Sequence, residues 1–207
     1  SYELDTLRLL TVAFGMYGSN SKNYGDGFTT MYGANHEDIA YSYRTGNHGD
    51  GSWYSINGNI DYQRTSRKNK QRMITFSYKI NTQPQTSNSN TGYEDIHAKE
   101  EVDDLVKRLL LKSSQSDGKT NTMEQTFQVD YTTPIGELHT VEAGAKYIFR
   151  RNTSDNKLYE AAGGSDDYLY NEDRSSDYRH FNHILASYLG YTLKYKDFTF
   201  KPGVLYE

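Results

Sequence analysis

The clearest regularity in the chain is a period of two. Between Trp53 and Gln63, Tyr54, Ile56, Gly58, Ile60 and Tyr62 alternate with Trp53, Ser55, Asn57, Asn59, Asp61 and Gln63, so an extended segment has one apolar and one polar face. After the polar link Ser66-Arg67-Lys68-Asn69-Lys70 the pattern resumes, with Ile74, Phe76, Tyr78 and Ile80 against Met73, Thr75, Ser77, Lys79 and Asn81. Two antiparallel strands joined by a short turn account for this. The arrangement recurs: Met123, Phe127, Val129 and Tyr131 oppose Glu124, Thr126, Gln128 and Asp130. A Thr133-Pro134-Ile135-Gly136 turn then leads to Val141, Ala143, Ala145, Tyr147 and Phe149 against Glu142, Gly144, Lys146, Ile148 and Arg150, with Ile148 the one misfit. A third pair runs from about Phe181 to Tyr195, turns at Lys196-Asp197, and continues with Phe198, Phe200, Val204 and Tyr206 on one side. The facing of its first strand is ambiguous, because Leu185, Leu189 and Leu193 compete with Ile184, Ala186 and Tyr188.

With an earlier strand over roughly Thr6 to Tyr17, the pattern predicts seven strands, each long enough to cross a bilayer at a barrel's tilt. Single-chain bacterial barrels close with an even number, so seven implies a missed strand or an incomplete barrel. Short links alternate with long polar connections near 18–50, 83–118 and 153–180. That asymmetry is the one between short periplasmic turns and long extracellular loops. Within the second connection Val102, Leu105, Val106, Leu109 and Leu110 fall at helical spacing, with Asp103 to Lys107 and Asp104 to Arg108 as acid-before-base pairs, predicting a short helix laid against neighbouring loops or the rim.

Composition sharpens this into a membrane wall. Only 35% of the 207 residues are hydrophobic and 20 are Tyr, too little aliphatic material for a globular core but suited to a wall with water on one side and lipid on the other. The net charge of -4 and dispersed basic residues argue against nucleic acid as a partner. The absence of cysteine excludes disulfides and thiolate metal sites. No apolar run is long enough for a transmembrane helix, and Ser1-Tyr2-Glu3 does not open a signal peptide.

Three segments carry a likeness to known proteins. They are Ile60-Asp61-Tyr62-Gln63-Arg64-Thr65 running into Met73-Ile74-Thr75-Phe76-Ser77-Tyr78; Gln128-Val129-Asp130-Tyr131-Thr132-Thr133-Pro134 with Glu142-Ala143-Gly144-Ala145-Lys146-Tyr147; and Ala186-Ser187-Tyr188 through Lys201-Pro202-Gly203-Val204-Leu205-Tyr206-Glu207. In these the chain resembles the outer-membrane β-barrel family of TonB-dependent receptors and transporters, from about residue 53 onward. Where the chain has Leu205, that family commonly has arginine. The resemblance implies a large barrel around a plug domain, importing a nutrient ligand through contact between TonB and a short N-terminal box. Outer-membrane proteins typically finish on an aromatic residue, so the ending at Glu207 reads as internal.

The expected fold is therefore all-β and antiparallel, up-and-down, one barrel segment over 1–207 with long loops, one of them carrying a short helix. The expected function is part of the wall around an uptake path in the cell outer membrane. The expected partners are outer-membrane lipid, the parent's remaining strands and plug, TonB and an unidentified nutrient ligand. Trp53, Asp61, Lys79, Lys146 and Arg150 are the lumen-facing candidates; Tyr24, Phe28, Tyr32, Tyr168 and Tyr170, placed in long loops, are candidates for stacking on a ligand.

No enzyme activity, cofactor or metal site is expected. His180 and His183 fall on opposite faces, and no Ser/His/Asp constellation has local support. The clusters at His36-Glu37-Asp38 and His48-Gly49-Asp50 read as solvated loop. The acidic loop with Asp166, Asp167, Glu172, Asp173 and Asp177 lacks calcium-loop spacing, and Gly25-Asp26-Gly27 and Gly163-Gly164 read as hinges. Two alternatives remain: a surface or adhesive outer-membrane barrel without transport, and a soluble β-barrel binding module whose apolar stripe would point into a small core.

Overall fold

The computed structural model describes residues 1–34, 38–162 and 165–207. These form one antiparallel sheet in up-and-down order, with strands β1 (Tyr2–Asp5), β2 (Arg8–Tyr32), β3 (Ile39–Thr65), β4 (Met73–Ala98), β5 (Lys112–Ile135), β6 (His139–Ala162), β7 (Leu169–Tyr170), β8 (Ser176–Tyr195), β9 (Phe198–Phe200) and β10 (Gly203–Tyr206). Each long strand pairs with the next, and β6 passes directly to β8 while β7 caps the end of β6. The one helical stretch, α1 (Asp103–Leu105) continuing as a π-turn over Val106–Leu110, lies where the apolar spacing places it. Its two acid-before-base pairs form, Lys107 to Asp103 at 2.9 Å and Arg108 to Asp104 at 2.8 Å.

Two short strands join those the alternation predicts, β1 and β7. β1 folds back on β2 through a turn in which Asp5 accepts from the Leu7 amide at 2.8 Å. At the other end the last strand divides into β9 and β10 at Pro202, which has no amide hydrogen to give to a ladder. The short links also shift slightly. Thr133 and Pro134 belong to β5, and the turn proper begins at Gly136, whose φ of +69° favours glycine.

The long connections are largely strand. β2 and β3 remain paired in unbroken register from Arg8↔Arg64 to Met31↔Tyr41, and β4 with β5 from Met73↔Thr132 to Thr91↔Ser114. The segments expected as loops near 18–50, 83–118 and 153–180 therefore shrink to short links beyond the strand tips, apart from the helix-bearing link and the stretch around β7. Near one tip β4 bulges at Asp95, which takes a φ of 51°, and the β3–β4 register shifts there by one residue.

Almost nothing is buried. Among the described residues the buried apolar side chains are Val106, Leu111 and Ala161, gathered under the helical turn far from the alternating segments. A soluble sandwich or barrel would bury its apolar stripe; here Phe14, Ile60, Phe76, Phe127 and Leu185 are all exposed.

Candidate functional site

Register fixes which side chains share a face. Residues paired across antiparallel strands point the same way, so even positions of β2, β3 and β4 and odd positions of β5, β6 and β8 form one face. On it lie successive rungs: Leu10, Tyr62, Phe76, Val129 and Ala145; then Val12, Ile60, Tyr78, Phe127 and Tyr147; then Phe14, Gly58, Ile80, Gln125 and Phe149, with Gln125 accepting from Tyr78 Oη at 3.2 Å. Leu185 and Leu189 extend this face on β8, which settles the ambiguity there: Ile184, Ala186 and Tyr188 face the other way. The misfit Ile148 pairs with Ile184 on that opposite face, giving each isoleucine an apolar neighbour.

The apolar band covers about nine residues per strand, which at about 3.3 Å rise and a tilt of 35–45° is about 23 Å tall, close to the hydrocarbon height a barrel must match. Tyr62, Tyr131 and Tyr191 lie near its lower edge, where an amphipathic ring suits the boundary between hydrocarbon and water.

The opposite face is polar at the same height. Asn59 Nδ2 donates to Asp61 at 2.7 Å and Gln128 Nε2 to Asp130 at 2.8 Å, each along one strand. Tyr188 Oη donates to the other Asp130 oxygen at 2.6 Å, Arg150 pairs with Glu124 at 2.5 Å, and Lys201 with Glu142 at 2.9 Å. The Tyr188 ring crosses Gly144, where an added Cβ would come within 2.3 Å of it.

All five candidates Trp53, Asp61, Lys79, Lys146 and Arg150 lie on this face. Asp61, Lys79 and Lys146 line one open concavity of about 480 Å³ with Asn59, Glu124 and Gln128. Arg150 reaches Glu124 at its margin, and Trp53 sits higher, edge-on to Tyr17 at 5.6 Å. Among the described residues neither Lys79 nor Lys146 has a carboxylate within ion-pair distance.

A model of the outer membrane protein β-barrel family matches residues 65–207. The chain belongs to this family. Its place is accordingly the outer membrane, and the apolar band is the surface such a barrel turns to lipid. Among curated proteins, none matches the chain.

The loop aromatics divide. Tyr24, Phe28 and Tyr32 were expected in a loop but stand on β2, because their polar neighbours hid the strand. Tyr24 and Tyr168 share a concavity of about 670 Å³ beyond the apolar band with Asp26, His48, Asn90 and Asp166, and Tyr24 packs on His48 at 4.5 Å. Phe28, opposite Arg44, and Tyr32, opposite Ile39, do not line it, and Tyr170 packs instead on Tyr159 at 5.5 Å. Sequence reading missed Tyr93, which also lines this concavity and stands edge-on to Tyr43 at 5.5 Å, with Tyr41 stacked on Tyr43 at 6.2 Å. Only a pairing register could have brought those three rings together.

His183 faces the lipid side and meets Tyr147 Oη at 2.7 Å, while His180 lies on the other face. His48 and Asp50 lie on β3 rather than in a loop. Of the His36-Glu37-Asp38 cluster only Asp38, held by Lys99 at 3.3 Å, falls within the described residues; His36, Glu37 and the Gly163-Gly164 pair lie outside them.

Proposed function

We propose that the chain is a segment of the barrel wall of a TonB-dependent uptake receptor, with its polar face lining the path of a nutrient ligand. The observation that carries the reading is the polar face at membrane height. Charged and amide side chains surround an open concavity there, with two lysines left for an incoming or resident anionic group. The resemblance of the segments around Ile60–Tyr78, Gln128–Tyr147 and Ala186–Glu207 to TonB-dependent receptors supports it further. Both edges of the sheet support a segment with more wall beside it: beyond Leu10, β2 lacks a partner on the side away from β3, as does β8 before Ser187 on the side away from β6, among the described residues. Strand edges of that length and regularity demand cover. The role is binding and passage, without catalysis or a cofactor; plug, remaining strands, TonB and ligand are its partners.

Growth of cells lacking the gene, on media that each limit one nutrient, tests this. The expected result is a defect on one nutrient, reproduced in cells lacking TonB. A defect in surface attachment with every nutrient growth rate unchanged overturns uptake and selects the adhesive barrel. One observation favours that second reading: the paired strands run well past the apolar band, building a polar extension at the cell-surface end.

A further inference from the structure

The short-turn end of the lipid-facing surface carries a concentration of arginine that neither the wall nor the uptake path requires. Arg8 and Arg64 are directly paired across β2 and β3, and the rung continues into Ile74 and Tyr131. They stand one step below the lowest rung of the apolar band, on the same face. With Arg67 and Arg72 from the adjoining turn they line an open concavity of about 680 Å³. Ile74 and Tyr131 form its floor toward the band, and Leu7 and Met73 complete its apolar lining.

The charge there is left largely uncompensated. Asp5 is the one carboxylate in the lining, and it is committed to Arg8 at 2.7 Å. Arg64, Arg67 and Arg72 have no carboxylate partner among the described residues. Arg72 is oriented by its Nε donating to Thr133 Oγ1 at 3.0 Å, which leaves its terminal nitrogens available. Lys68 and Lys70 add charge from the same turn. Beyond the other edge of the band the same face alternates in sign, as with Asp155 beside Lys157 at 3.9 Å and Asp177 beside Arg179 at 3.1 Å. The excess of cation is specific to one membrane boundary.

We infer that this concavity holds the headgroup of an anionic glycerophospholipid from the leaflet at the short-turn end, with the Arg64, Arg67 and Arg72 guanidinium groups on its phosphate and Ile74 and Tyr131 under the start of its acyl chains. Planar guanidinium forks match phosphate oxygens in geometry and charge, and they keep their charge at the membrane surface. The apolar floor favours a phosphate carried by a lipid over a free one, and the position at the lower edge of the band is where a headgroup sits.

Native mass spectrometry of the full-length protein in detergent tests this, with phosphatidylglycerol, phosphatidylcholine or glycerol phosphate added separately. The expected result is retention of phosphatidylglycerol at least about tenfold stronger than of phosphatidylcholine, weakened by salt. The preference should vanish in the triple variant Arg64→Gln, Arg67→Gln, Arg72→Gln and persist in the control Lys119→Gln, Lys157→Gln, Arg179→Gln. Equal retention of the two lipids by the unaltered protein overturns the inference without reference to any variant. So does binding of glycerol phosphate as tight as that of the lipid, or a preference that survives the triple substitution.

Discussion

The two halves of the same strands obey different rules. In β3 the half from Tyr54 to Tyr62 alternates apolar and polar, while the half from Ser42 to Ser52 is polar on both faces, yet both belong to one unbroken strand. The lower half is held by its fit to lipid: transfer of each outward Ile, Leu or Phe from water to hydrocarbon is worth about 1.5–3 kcal/mol. The upper half has no such drive and is bound by the backbone ladder and by cross-strand side-chain hydrogen bonds. Ser52 meets Thr86 at 2.8 Å, Asn88 donates to Asp50 at 3.2 Å and Thr91 to Asn47 at 2.9 Å. A bilayer dictates one face of a strand; water on both sides dictates neither.

The largest break between the halves should come from a charge. Phe127→Arg places a guanidinium in the band and is expected to cost about 2–4 kcal/mol of folding free energy in a bilayer. Asn90→Arg, at an exposed position on the same face of the upper half, should cost under about 0.5 kcal/mol. Denaturant titration of the two variants in lipid vesicles measures the contrast. On the polar face at band height, Gly144→Ala drives a Cβ against the Tyr188 ring and Asp130, and the crowding is expected to cost about 1–2 kcal/mol in the same titration. In the upper half, Thr91→Val removes the bond to Asn47 for about 0.5–1.5 kcal/mol and should raise hydrogen exchange in β3 and β4 around that rung more than in the band.

The smallest effect lies below the band. Arg8, hydrogen-bonded to Asp5, holds its carboxyl below the usual value of 3.8, with the Leu7 amide adding to the shift. A lowered folded value means that this contribution is complete above pH 3.8 and is lost as pH falls through the lowered value. Acid titration should release the β1–β2 turn in that window, and Asp5→Asn should remove the transition; a chemical-shift titration of the Leu7 amide reads both.

How much was legible follows the same division. Where lipid faces one side, the alternation in Tyr54–Tyr62, Ile74–Ile80, Phe127–Tyr131 and Val141–Phe149 gave the strands, their facing and their turns. The helix at Asp103–Leu110 was legible because its spacing is its own. The upper halves were not, since Gly, Ser, Asn and Asp in a doubly solvated strand have the composition of a loop, and Tyr24 and Phe28 read as loop residues in that setting although they stand on β2. Tyr2–Asp5 is too short to show a period, and the gathering of Tyr24, His48, Tyr93 and Tyr168 depends on register and on a link that folds over, neither of which local sequence encodes. The shared face of Asp61, Lys79 and Lys146, by contrast, followed from parity alone.

The chain has no cysteine, so a single-cysteine scan along β3 from Ser42 to Tyr62, in the membrane-embedded protein, tests the central claim most directly. Labelling with a charged, water-soluble thiol reagent should alternate from position 54 to 62, odd positions reacting and even ones protected by lipid, and should become uniform from 42 to 52. Hydrogen exchange over 42–52 should nonetheless remain slow, because that half is still paired strand. Reactive even positions at 56 and 60 would contradict the lipid-facing band, and fast exchange over 42–52 would contradict the polar extension.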